Sequence, residues 1–122
     1  MCGGILPTAG AWLLIGDDAA LPFIRQLIGR LTKGAEANRI IVLAEAATGE
    51  RPAFGSEVTV HWVNRDADSG PRTLNDALKA LFLPQNALRA WVSCEAHQAT
   101  LIREQLIDDH GVHPTRIEAF AW

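Results

Sequence analysis

Trp12-Leu13-Leu14-Ile15-Gly16-Asp17-Asp18-Ala19-Ala20-Leu21-Pro22 decides how this chain folds, because an apolar run stops at a Gly-acid-acid turn and helical periodicity begins at a proline. The pattern predicts a strand, a loop and a helix start. Pro22 suits the first helical position, where its missing N–H has no intrahelical partner to lose. In an open α/β sheet such an elbow lies at the carboxyl end of a strand, where ligands bind. The loop from Gly16 to Leu21 is therefore the first candidate ligand segment.

Outward from that elbow, Leu21, Ile24, Leu27, Ile28 and Leu31 recur at helical spacing and give one apolar face to a helix from Pro22 to about Leu31. Ile40-Ile41-Val42-Leu43-Ala44 reads as a strand covered on both faces, and Val58 to Val63 as a third strand after a turn-rich stretch too short for a full helix. Leu74, Ala77, Leu78 and Leu81 mark a second helix, Leu88 to Val92 a fourth strand, and Ala99, Ile102 and Leu106 a third helix ending near Gly111. Ile117 to Trp122 closes the series as a fifth strand. Alternating strands and helices imply a parallel sheet with right-handed crossovers. The expected fold is one doubly wound α/β domain over residues 1–122: a three-layer arrangement, a five-stranded parallel sheet with helices on both faces.

Composition narrows the function. A chain of 122 residues suffices for one buried core, and its 48% apolar and 20% charged residues are those of an ordinary soluble domain. A net charge of -3 without a basic stripe offers no footprint for nucleic acid. The opening Met1-Cys2-Gly3-Gly4-Ile5-Leu6-Pro7 is no secretion signal and no apolar run reaches bilayer length, so the expected setting is the cytoplasm, with no membrane contact. Cys2 and Cys94 have no metal or redox spacing and are expected as free thiols.

Three strand ends should gather on one edge: Gly16-Asp17-Asp18, Asn64-Arg65-Asp66 and Ser93-Cys94-Glu95-Ala96-His97. A nucleotide there would find backbone N–H groups at the Pro22 and His97 helix starts and Arg65 as a bidentate phosphate ligand. Each residue also has a plain structural reading. Asp17 and Asp18 suit a cap or turn, and no Gly-x-Gly-x-x-Gly cradle is present. Arg65 could pair with Asp66 or Asp68. Cys94 is either a thiol activated by a helix start or a buried, inert one. Glu95 and His97 are an acid/base pair or a cap with its first turn. His110 and His113 read as a surface loop rather than a metal site. Trp12, Trp62 and Trp91 read as core, while Trp122 either covers a planar ligand or packs as a chain end. No nucleophile, base and orienting acid stand together.

Taken in order, these residues resemble the C-terminal domain of the siderophore-interacting protein family, flavin-dependent NAD(P)H ferric-siderophore reductases related to ferredoxin reductases. Gly16-Asp17-Asp18-Ala19-Ala20-Leu21-Pro22 is similar to the family's Gly-Asp-Glu-Thr-Ala-Leu-Pro, Val58 to Arg65 to its Val-x-Trp-x-x-Arg strand, and Trp91 to Ala96 to its Val-Ala-Gly-Glu-Ala segment. The resemblance implies strand order 3-2-1-4-5 and a domain that binds NADPH or NADH and passes hydride to a flavin. In the family the flavin, FAD, is held by a β-barrel, and electrons then pass to Fe(III) in a siderophore, the indirect substrate. It also implies a cofactor site from Gly16, Asp17, Asp18, Ala19, Ala20, Leu21, Pro22, Arg65, Ser93, Cys94, Glu95, Ala96 and Trp122, with no protein-held metal. No segment of this sequence forms the barrel, so FAD is expected only through a partner domain or chain, and the edge around Trp122 is expected to be completed by another chain, either a flavin-barrel protein or a second copy in a homodimer. The alternative is a non-catalytic binding or assembly module that has lost reductase activity. Two departures mark the site: Ala19 stands where the family has Thr, and Cys94 where it has a Gly that lets a ligand approach the backbone.

Overall fold

The computed structural model describes residues 11–32, 39–46, 52–55, 58–64, 73–81, 83 and 88–121. In chain order these form β1 (Ala11–Gly16), a 3-10 turn (Asp18–Ala20), α1 (Leu21–Thr32), β2 (Arg39–Ala46), β3 (Val58–Asn64), α2 (Leu74–Lys79), β4 (Leu88–Cys94), α3 (Ala96–Asp108) and, after a second 3-10 turn, β5 (Ile117–Ala121). All strands are parallel and their order is β3-β2-β1-β4-β5, as the resemblance implies. The chain runs outward from β1 to β3 and then crosses to β4 on the other side of β1. The crevice between the carboxyl ends of β1 and β4 is thus the switch point of the sheet.

Strand alternation sorts the core into two faces. Ala11, Leu13 and Ile15 of β1, with Ile41, Leu43, Ala90 and Val92, meet Leu74, Leu78, Ile102 and Leu106 of α2 and α3. Leu14, Ile40, Val42 and Ala44 turn the other way, toward Leu21, Ile24 and Ile28 of α1. Helices therefore cover both faces, as expected for a three-layer domain.

Local devices fix the ends. The six-residue α2 is too short to persist alone. The Thr73 hydroxyl caps it by accepting from the Asp76 N–H at 3.1 Å, and Gln105 of α3 clasps Asn75, its side-chain amide donating to the Asn75 carbonyl at 3.1 Å. Beyond α3, Gly111 takes φ +68°, which a side chain rarely adopts, and the Val112 N–H closes on the Leu106 carbonyl at 3.0 Å.

The sequence expectations are displaced in small, physically sensible ways. The first helix opens at Leu21, one residue ahead of Pro22, because the Asp18–Ala20 turn leads directly into it. β2 runs on past Ala44 because Glu45 and Ala46 still pair with Val63 and Asn64 of β3, and β4 past Val92 because Ser93 and Cys94 still pair with Phe120 and Ala121 of β5.

Candidate functional site

At the switch point Gly16 and Ser93 lie opposite each other in register, and the Asp17 N–H donates to the Ser93 carbonyl at 3.3 Å. That bond draws the loop after β1 onto the end of β4. Gly16 serves packing here: a Cβ would lie 2.7 Å from Ala20 Cβ and 2.9 Å from Ile24 Cδ1, so only glycine lets the turn and α1 close on the strand. Ala19 is exposed at the rim, Ala20 and Leu21 are buried beneath it, and Pro22 is exposed on α1.

Asp17 occupies the cap position of the 3-10 turn, yet its side chain makes no cap bond. The residue is only 7% exposed and its Oδ1 has no hydrogen-bond partner. Burial raises its carboxyl above the usual range and neighbouring Asp18 adds to this; the Ala20 and Ala19 amides oppose it, and Glu45 raises it further. Glu45 is the residue that sequence reasoning missed. It directly follows the apolar run Ile40–Ala44, is itself buried, and by alternation faces the α2 and α3 side, as Cys94 does. Extending that run by one residue and aligning it with β1 would have found it.

Cys94 is a free, fully buried cysteine within the α2 and α3 core. Desolvation pushes its thiol up to about 12, with Asp17, Glu95 and Glu45 contributing in that order. It is an inert thiol at neutral pH, and its side chain is held in the core. Glu95 caps α3: its carboxylate accepts from the His97 N–H at 2.7 Å and from the Gln98 N–H at 3.3 Å. Its backbone carbonyl takes the Ala99 N–H at 2.8 Å. Glu95 is thereby bound to the α3 backbone; Ala96, the first residue of that helix, is exposed.

The two helix starts therefore offer a phosphate fewer open amides than the sequence suggests. At α1 the Ala20 N–H is bonded to the Asp17 carbonyl, the Leu21 N–H to the Asp18 carbonyl, and Pro22 has none. At α3 the first turn already holds a carboxylate of its own chain. Among the described residues, no Lys or Arg stands at the carboxyl end of a strand or in the first turn of a helix. Arg65 and Trp122, both expected at the site, and Cys2 lie outside the described residues.

Two clefts lie on the two faces of the sheet. One of about 720 Å³ runs between α2 and α3 and is lined by acids, among them Glu45, Asp76, Glu95, Glu104 and Asp108, against Lys79. The other, of about 490 Å³, opens at the start of α1 and is lined by Leu21, Pro22, Arg25, Gln26 and Pro52. Elsewhere His113 Nδ1 accepts from the Thr115 N–H at 3.2 Å, a turn contact. Among the described residues no group of three His, Cys, Asp or Glu side chains could hold a metal ion, and no helix is long and apolar enough to cross a membrane.

Comparison with known proteins places this architecture. Among solved structures, a siderophore utilization protein from T. fusca matches with TM-score 0.71 at 21% identity, over 94% of this chain and 45% of its own. The siderophore-interacting protein of Aeromonas hydrophila matches with TM-score 0.70 at 21% identity, over 96% of this chain and 51% of its own. A flavohemoglobin-like FAD/NAD-binding domain of nitric oxide dioxygenase from Vibrio cholerae O1 biovar El Tor gives TM-score 0.63 at 18% identity, over 97% and 54%. The chain spans about half the length of each of these structures, and the likeness shows a shared fold. A search of curated proteins gives no match. The sequence model described as siderophore-interacting protein matches residues 9–122. With nearly its whole length so matched, and with the strand order and Gly16 elbow now in place, this chain belongs to the siderophore-interacting protein family.

Proposed function

We propose that this chain is the nicotinamide-nucleotide-binding domain of a ferric-siderophore reductase, one folding unit over residues 1–122 that works in the cytoplasm beside a flavin-binding barrel. The barrel is supplied by another domain or chain, and a homodimer is the other assembly that fits. The observation that carries the reading is the β1–β4 crevice, where Gly16 and Ser93 meet in register at the switch point of a parallel sheet. Small residues line its mouth, Ala19 on one side and Ala96 on the other, so a flat ring can approach the backbone.

The residues present fit the nicotinamide and ribose end of such a nucleotide. That end carries hydroxyl and carboxamide donors, and an acid follows each strand of the crevice, Asp18 after β1 and Glu95 after β4. NADPH or NADH, when bound, would supply a hydride, two electrons with one proton, for a flavin held by the barrel, and two Fe(III) siderophores would each take one of those electrons and become Fe(II). This chain's part is to hold and orient the nucleotide. The buried Cys94 thiol takes no part in the redox step. Arg65, following the last residue of β3, is the family position for a ribose phosphate.

Calorimetric titration with NADPH tests the reading. Saturable binding is expected, weakened by about 1.5–3 kcal/mol in Arg65→Ala if the charged hydrogen bond is direct. A chain that takes up neither NADPH nor NADH would leave the non-catalytic assembly module, a reading favoured by the self-capped start of α3.

A further inference from the structure

Right-handed crossovers leave one strip of this sheet without a described helix. α1, which joins β1 to β2, lies on one face, and α2 and α3, on either side of β4 in the chain, lie on the other. On the α1 side no described helix covers β4 and β5, and alternation turns Arg89, Trp91 and Ser93 of β4 and Glu118 and Phe120 of β5 to that side. Phe120 stands out there as a knob, half exposed against Trp91. Beside it, between α1 and β4, a groove of about 170 Å³ is lined by Phe23, Gln26, Leu27, Arg30 and Trp91. An apolar cavity of roughly 150 Å³ admits a benzene ring. The two strands also give this strip one charge of each sign, the Arg89 guanidinium over the Trp12 ring and the exposed Glu118.

We propose that this strip is a self-complementary interface occupied by a second copy of the chain, with Phe120 of each copy in the groove of the other and Arg89 of each paired with Glu118 of the other. A two-fold axis parallel to the strands, between β4 and β5, brings β5 of one copy over β4 of the other and leaves both α1 helices outside the overlapping strands. Such an axis preserves level along the strands. Within the sheet Trp91 is level with Glu118 and Ser93 with Phe120, so the second copy's Phe120 arrives over the small Ser93 and its Glu118 over Trp91, two residues from Arg89. A knob beside its own hole and a cation beside its own anion are both satisfied when two copies close on each other. The proposal rests on the homodimer reading above, to which it gives a face, and not on a nucleotide.

Sedimentation velocity of the whole chain, with NADPH titrated into the same samples, is the test. A species of twice the 13.2 kDa chain mass is expected at tens of micromolar. Phe120→Ala should weaken self-association about tenfold. Arg89→Glu and Glu118→Arg, which set like charges against each other, should each weaken it by at least about tenfold. The mixture is the decisive readout: Arg89→Glu carries two anions on the strip and Glu118→Arg two cations, so the two variants, monomeric apart, should pair when combined. A parent chain that stays monomeric at millimolar concentration overturns the proposal and leaves the strip to a different chain. A dimer that all three variants keep, or folded charge variants that do not pair on mixing, overturns it too. Dimerisation without NADPH uptake sinks the nucleotide reading alone, and NADPH uptake by a strictly monomeric chain sinks the dimer alone.

Discussion

The two faces of the sheet are covered by different means. On one, α2 and α3 seal a continuous aliphatic layer in which Leu13, Ile15, Leu78, Ile102 and Leu106 are inaccessible to water. On the other, α1 is the one described helix, and aromatic rings that range from the buried Trp91 to the exposed Phe120 complete the cover. Phe54 stacks on Trp62 at 5.8 Å, Trp91 meets Phe120 at 5.9 Å, and the Arg89 guanidinium lies 5.9 Å over the Trp12 ring. A large ring covers strand surface from the sheet itself, without a second helix, and leaves one side wet. The contrast teaches that the α2 and α3 face bears the stability while the α1 face keeps accessible surface beside the crevice.

The contrast can be broken by truncation. Ile102→Ala leaves a cavity in the sealed layer and should lower unfolding free energy by about 3–4 kcal/mol, whereas Phe120→Ala, at a ring already 51% exposed, should change it by about 1 kcal/mol or less. Urea melts of the two variants measure this directly. Equal losses would mean that the faces share the load.

A sharper test concerns the joint between the faces. Gly16→Ala places a methyl group against Ala20 Cβ, which is rigid, so the turn and α1 must lift; a loss of about 1–3 kcal/mol is expected. The damage should concentrate on the α1 face, read by amide exchange that quickens in α1 more than in α3. Uniform quickening would show that the joint does not separate the faces.

An effect absent at neutral pH and confined to alkaline solution tests how dry the sealed face is at its carboxyl end. The Cys94 thiol rises from 9.0 to about 12 on folding, so the folded chain holds this proton where the unfolded chain releases it. Stability present below about pH 9 is therefore lost as pH rises toward 12. Cys94→Ala should remove that alkaline loss while costing some packing, seen as a flatter dependence of the urea midpoint on pH. A midpoint that falls as steeply in the variant would mean that Cys94 is wetter than its burial indicates.

The sheet was legible in the sequence because each buried parallel strand is a run of apolar residues and each helix repeats its apolar positions at one spacing. Ile40–Ala44 and Leu21–Leu31 need no tertiary information to be read. Strand order came instead from the ordered resemblance, since periodicity does not say which strands are neighbours. The site was half legible. The positions of Gly16, Ser93 and Glu95 follow from where strands end, but what each does depends on neighbours distant in sequence. Gly16 is required by Ala20 and Ile24, and Cys94 is silenced by burial among carboxylates. Glu45 went unseen because an acid after an apolar run looks like a strand's solvated end. Only its place one strand away from Asp17 makes it part of the buried edge.

The central place of β1 has a consequence in time. One of its edges is met by β2, the next strand to be synthesised, and the other by β4, which arrives only after β3 and α2 have been made. During synthesis the first half of the domain can assemble while β1 still presents an open, apolar edge, the kind of surface that recruits foreign strands. Completion of this domain is a race between its own β4 and any other chain able to occupy that edge first.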